Sequence, residues 1–148
     1  MRLYAVLFAL LVASVAAAQS AAPLTAALPG TSKMVVVAEG EREPRSTGSY
    51  SLRIYGGANP GHPYDDFIAG LVWRRDGAVE KLVFGDVDGD RNADIVVVIR
   101  SAGTGGYLSA DAFRLRGKAL WHLASVKGLA KDADPVHALR QKRAKANP

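Results

Sequence analysis

Ile95-Val96-Val97-Val98-Ile99-Arg100-Ser101-Ala102-Gly103-Thr104-Gly105-Gly106-Tyr107-Leu108-Ser109-Ala110-Asp111-Ala112-Phe113 is the stretch on which the fold turns. The run from Ile95 to Ile99 reads as a rigid strand, and the residues from Tyr107 to Phe113 alternate between apolar and small or polar side chains, as a half-buried strand does. Between them, Ser101 to Tyr107 places three glycines among seven residues, too few side chains to build a core. The segment is therefore an exposed, turn-rich loop at the rim of a sheet, carrying small hydroxyls and one aromatic. In its plainest form it is a glycine-rich hairpin connection.

The same pattern extends in both directions. Short β-like runs occupy Met34 to Ala38, Ser49 to Tyr55, Phe67 to Arg74, Val79 to Gly85, Ile95 to Arg100, Tyr107 to Leu115 and Leu120 to Val126. Turn chemistry separates several of them: Asp76-Gly77, Asp88-Gly89-Asp90 and Arg116-Gly117-Lys118. Connections this short imply antiparallel neighbours, because a parallel pair needs a crossover of a dozen residues or more. The fold class is mainly β, an antiparallel β-sandwich or flattened barrel. One short helix is expected from Pro135 to Lys142, where Asp134 supplies a cap, Pro135 opens the first turn and cations gather at the far end.

Upstream, Arg2, an apolar stretch from Leu3 to Val15, and Ala16-Ala17-Ala18 follow the order of a cleavable export signal over residues 1–18. Residues 19–33, rich in Ala, Pro, Ser and Thr, read as a flexible arm; 34–142 form a single β domain and 143–148 a basic tail. No Cys is present, so neither disulfides nor a lipid-bearing cysteine contributes. The net charge of +5 is a property of the tail: Gln19 to Leu139 holds 14 Lys plus Arg against 14 Asp plus Glu, and Arg140, Lys142, Arg143 and Lys145 supply the excess. A basic face interleaved with aromatics is missing, which argues against a nucleic-acid partner, and no segment after the leader is apolar enough for membrane insertion.

Two sets of residues invite chemistry. In the segment Asp86 to Asp94, acidic oxygens at loop positions one, three, five and nine suit Ca²⁺, which takes six to eight oxygen ligands, and would make a calcium-binding extracytoplasmic adhesion or repeat-like module. Against this, Val97 stands where an EF-hand loop has its bidentate Glu, and Arg91 brings a cation into the loop. A tight turn whose Asp side chains accept backbone N–H bonds fits better, so no metal or other cofactor is assigned. For catalysis, His62, His122 and His137 lie in unrelated contexts without a nucleophile elbow, and no enzyme is expected. Trp73 and Trp121 fall on strand-like runs, where core packing is their ordinary role. Thr47-Gly48-Ser49-Tyr50 echoes Thr104-Gly105-Gly106-Tyr107, each unit entering a strand.

Three blocks, Glu43-Pro44-Arg45-Ser46-Thr47-Gly48-Ser49-Tyr50, Asp86-Val87-Asp88-Gly89-Asp90 and Val98 through Ala110, together resemble the periplasmic inhibitors of invertebrate-type (i-type) lysozyme, over about Glu39 to Leu139. The resemblance implies a β-sandwich-like protein of the Gram-negative periplasm that inserts a Ser-Gly-x-Tyr loop into the cleft of an i-type lysozyme. Carried onto this chain, the loop comprises Thr104, Gly105, Gly106 and Tyr107, with Ser101 and Gly103 shaping its base. Thr104 departs from the motif: it keeps the hydroxyl donor and adds a methyl group. The resemblance also allows a homodimer, for which the two Tyr-bearing strands would offer an edge. Because the folded region is formally neutral, recognition rests on loop shape and local groups.

Overall fold

The computed structural model describes residues 21–146; the leader read at 1–18 and the last two residues of the tail lie outside the described residues. Eight strands and one helix follow in order: β1 (Leu24–Ala27), β2 (Met34–Glu39), β3 (Gly48–Tyr55), β4 (Phe67–Arg75), β5 (Ala78–Gly85), β6 (Asp94–Arg100), β7 (Leu108–Arg116), β8 (Ala119–Leu129) and α1 (Pro135–Ala146). They build two four-stranded antiparallel meanders, β1-β2-β3-β4 and β5-β6-β7-β8, packed face to face as an open sandwich. Among the described residues no helix is long and apolar enough to cross a membrane.

β6 explains the layering. Its β-branched residues are stiff at χ1 and favour the pleated backbone. All of Asp94 to Ile99 is buried, because the strand is covered on both faces. Ile95, Val97 and Ile99 meet Val35, Leu52 and Phe113 between the sheets. Val96 and Val98 turn the other way, towards Leu108, Val126 and Leu139 of α1. The helix is thus a third layer. Asp134 caps it, its Oδ1 accepting from the N–H groups of Val136 (2.9 Å) and His137 (3.2 Å).

Three expectations change. The arm read at 19–33 contains β1, which pairs with β2 and leads to buried Leu28; the alternation is carried by alanines, whose small size hides it in the sequence. The helix runs four residues beyond Lys142, so most of the basic tail at 143–148 is structured. Its cations satisfy backbone carbonyls: Arg140 Nε donates to Asp86 O (2.9 Å), Arg143 to Leu123 O (3.1 Å) and Lys142 to Ser125 O. Finally, Asp76-Gly77 does not join neighbouring strands but switches the chain from one sheet to the other. Gly77 (φ 125°) makes that corner possible, since a Cβ there would lie 2.1 Å from Arg100 O.

Buried arginines tie the connections down. Arg75 donates to Ser49 O (2.9 Å), Pro44 O (3.0 Å) and Gly77 O (2.7 Å), and lies 3.6 Å from both Glu39 and Glu43. Arg114 enters the Asp86–Asp94 turn and meets Asp88, Asp90 (2.6 Å) and Asp94 (2.8 Å). The remaining oxygens of that turn accept backbone N–H groups: Asp86 from Gly89 and Arg91, Asp90 from Asn92, Asp94 from Val87. The Asp side chains thus accept backbone N–H bonds as a tight turn requires and an internal guanidinium supplies positive charge, while Asp86, Asp88 and Asp94 also bring one carboxylate oxygen each within 4.8 Å of the others.

Removing that guanidinium leaves Asp90 and Asp94 without an ion-pair partner and Asp88 with only the more distant Arg143 (3.9 Å), so Arg114→Met is expected to cost about 3–5 kcal/mol in chemical denaturation at neutral pH. Burial already pushes the Asp94 carboxyl above its ordinary value, against the pull of the Val87 N–H and Arg114. Without Arg114 it rises further, the folded state binds the proton more tightly than the unfolded one, and the deficit shrinks as pH falls through the raised value. Calcium or chelator should leave the wild-type melting temperature unchanged; a Ca²⁺-dependent rise would contradict the reading of this turn as closed by Arg114 alone.

Candidate functional site

The β6–β7 connection holds all the loop residues singled out from the sequence. Its base closes through Ser101 N–H donating to Tyr107 O (2.9 Å), and Gly103 N–H donates to Ser101 Oγ (3.3 Å). Thr104 and Gly105 form the tip of a turn in which Gly106 N–H reaches Gly103 O at 3.4 Å. Gly106 takes the left-handed conformation (φ 58°) that brings the chain back into β7. Ala102 to Gly105 are exposed, as is Tyr107 at 56%. The Tyr107 ring is folded over Gly105: a Cβ at Gly105 would lie 2.3 Å from Tyr107 Cε2. The glycine thus makes room for the ring.

The clamp behind the loop was not legible in the sequence. Arg100 Nη1 donates to Gly106 O (2.8 Å), and Glu80 on β5 holds the guanidinium through Nη2 (2.8 Å) and Nε. This contact holds the Glu80 carboxyl below its usual range, so the pair stays ionised. Gly77 presses against Arg100 O and the Ser101 Cα, linking the loop's base to the corner built on Arg75. Arg100 appears in the sequence only as the last residue of an apolar run, with no sign that its partner lies on the preceding strand.

Beside the loop opens a hollow of about 640 Å³ between the sheet ends, lined among others by Thr47, Trp73, Arg74, Asp111, Ser125 and Lys127. A smaller hollow continues it to Ser101 and Tyr107, sharing Asp76, Ser109 and Lys127. The two Thr-Gly-x-Tyr units therefore flank one groove, but they differ in role. Tyr107 is exposed, whereas Tyr50 is fully buried and its hydroxyl donates to Asp111 Oδ2 (3.0 Å). Burial first, then the Asp111 charge, pushes the Tyr50 phenol far up, so it remains a neutral donor. Ser125 donates to the other Asp111 oxygen and pairs with His122 Nε2 (2.8 Å), and the His122 ring stacks on Trp73 at 4.7 Å.

Trp73 packs on the core edge-on to Phe113, as expected, but Trp121 is 58% exposed on the outer side of β8. A register shift opposite Ala112 and Phe113 interrupts the alternation of β8 there, and Trp121 and His122 are both exposed. The edge suggested for a homodimer is also corrected: β3, which carries Tyr50, and β7, which Tyr107 enters, are both interior strands. The sheet edges belong to β1, β4, β5 and β8.

A family model described as periplasmic lysozyme inhibitor of I-type lysozyme matches residues 21–143. The chain is similar to the crystal structure of PliI-Ah, the periplasmic lysozyme inhibitor of I-type lysozyme from Aeromonas hydrophila, at 45% identity and a TM-score of 0.72, covering 80% of this chain and 99% of that one. It is likewise similar to Aeromonas hydrophila PliI in complex with Meretrix lusoria lysozyme, at 45% identity and a TM-score of 0.73, covering 81% of this chain and 96% of the other. A comparison with curated protein sequences gave no match. The family match spans both sheets, the β6–β7 loop and most of α1, and the chain belongs to the family of periplasmic lysozyme inhibitors of I-type lysozyme.

Proposed function

We propose that the protein inhibits i-type lysozyme in the periplasm by inserting the Thr104-Gly105-Gly106-Tyr107 loop into the enzyme's active-site cleft, where it blocks access to peptidoglycan. The observation that carries this reading is a thin, exposed loop clamped from behind by Arg100 and presenting Thr104 and Tyr107 outward. It acts as a protein inhibitor and not as an enzyme.

The chemistry of the target explains the residue types. A glycoside hydrolase flanks the scissile bond with two carboxyl groups, and both accept hydrogen bonds. The Thr104 hydroxyl and the Tyr107 phenol are neutral donors that enter such a site without bringing an unpaired charge into it. The glycines keep the loop thin enough for a cleft shaped around a sugar chain, and their N–H groups add donors. Nothing in the loop resembles a glycosidic bond, so it occupies the site without being cleaved. A clamped loop also arrives ordered, which lowers the entropy lost on docking. The added methyl of Thr104 restricts χ1 while the hydroxyl is kept.

Inhibition of peptidoglycan lysis by i-type lysozyme, with c-type and g-type enzymes in parallel, tests the class and the target. Stoichiometric inhibition of the i-type enzyme is expected, and no effect on any of the three would refute the reading. Tyr107→Ala should weaken inhibition by about 30-fold or more, in line with an aromatic anchor, with the melting temperature unchanged. Gly105→Ala discriminates further: its methyl displaces the Tyr107 ring rather than straining the backbone, so potency should fall while stability stays within about 0.5 kcal/mol of wild type. Thr104→Ser should retain inhibition and Thr104→Val, which keeps the shape but loses the donor, should lose about tenfold. Equal potency of the Val variant would remove the hydroxyl from the interface.

A further inference from the structure

The loop alone is too small to make a stable complex. A specific interface buries about 800 Å² on each partner, far more than a seven-residue loop with three glycines can offer, so a bound lysozyme must also rest on the surface flanking it. On one side that surface is built by the end of β8 and by α1. Leu108 pairs with Leu129 across a register irregularity, and Gly128 takes a left-handed conformation (φ 68°), so Lys127 stands beside the loop where β7 begins. Lys127 lines the hollow that contains Ser101 and Tyr107. It also lines a second hollow of about 350 Å³ that contains Lys142 and Lys145 of α1.

All three lysines are exposed, and none has an ion-pair partner among the described residues. Lys142 leans on Ser125 O, a neutral acceptor that leaves its charge intact. α1 itself contains no acidic residue to offset them. Asp76 lines the loop-side hollow as well but is not within ion-pair distance of Lys127. The two hollows meet at Lys127, so these three exposed ammonium groups form a rim that runs from α1 to the loop, and whatever engages the loop meets that rim.

We propose that Lys127, Lys142 and Lys145 form a specificity rim that faces an acidic lip of the lysozyme cleft, favouring lysozymes that carry such a lip and disfavouring cationic ones. The inference rests on the loop-insertion reading above and adds to it the chemistry of the partner's surface. Exposed, unscreened charges at the edge of an interface act chiefly on the rate of encounter and its salt dependence.

The test is the association rate constant for the i-type lysozyme, measured at low and at physiological salt for the wild type and for Lys127→Gln/Lys142→Gln/Lys145→Gln. The neutralised variant should associate about fivefold more slowly or worse at low salt, with the gap closing as salt rises and the dissociation rate little changed. A triple Lys→Arg variant, which keeps the charge, should match the wild type and exclude a folding defect. If the neutralised variant associates at the wild-type rate with the wild-type salt slope, or faster, while the wild type still inhibits, the rim proposal is overturned and loop insertion stands. Loss of binding to anionic lipid vesicles without any change in lysozyme association would likewise overturn it. Failure of the wild type to inhibit at all overturns both.

Discussion

At the mouth of the β6–β7 hairpin, the Arg100 guanidinium donates to Gly106 O while Glu80 holds it from the neighbouring strand, and Ser101 N–H closes the loop onto Tyr107 O. A loop with three glycines has the most conformational freedom to lose, and without this clamp it would sample many shapes. The clamp in turn needs a stationary base. β6 provides one because it is buried on both faces, by the opposite sheet through Ile95, Val97 and Ile99 and by α1 through Val96 and Val98. The corner at Gly77, fastened by Arg75, closes the last side. Packing of a doubly covered strand thus becomes the stiffness of an exposed loop.

Guanidinium groups take the place that disulfides or metals occupy in many exported domains. The chain has no cysteine, yet its connections are cross-tied: Arg75 joins the β2–β3 connection to the sheet switch, and Arg114 gathers three aspartates of the β5–β6 turn. Arg suits this work because its planar fork offers five donors and keeps its charge when buried. Such clusters contribute little net stability once desolvation is counted, but breaking one strands its partners, so they fix a unique loop arrangement more than they deepen the energy well.

The sequence read clearly where a single residue type carried the signal. The β6 run and the glycine-rich loop are both visible because burial or its absence is written in consecutive residues. β1 escaped because Ala26 and Ala27 alternate without contrast, and the sheet switch escaped because Asp76-Gly77 looks like any hairpin turn. The cations of α1 looked like a free tail because their acceptors are backbone carbonyls, which no sequence displays. The loop was therefore legible and its support was not: Arg100 with Glu80, and Lys127 beside Tyr107, are partnerships set by strand register and by a bulge at Gly128.

If the loop occupies the cleft, the inhibitor and an N-acetylglucosamine oligosaccharide must exclude each other. The measurement is the affinity of this protein for an i-type lysozyme, titrated with increasing oligosaccharide. A competitive rise in the apparent Kd, in proportion to saccharide concentration, is the predicted result; an affinity unchanged at saturating saccharide would place the contact outside the cleft and contradict loop insertion.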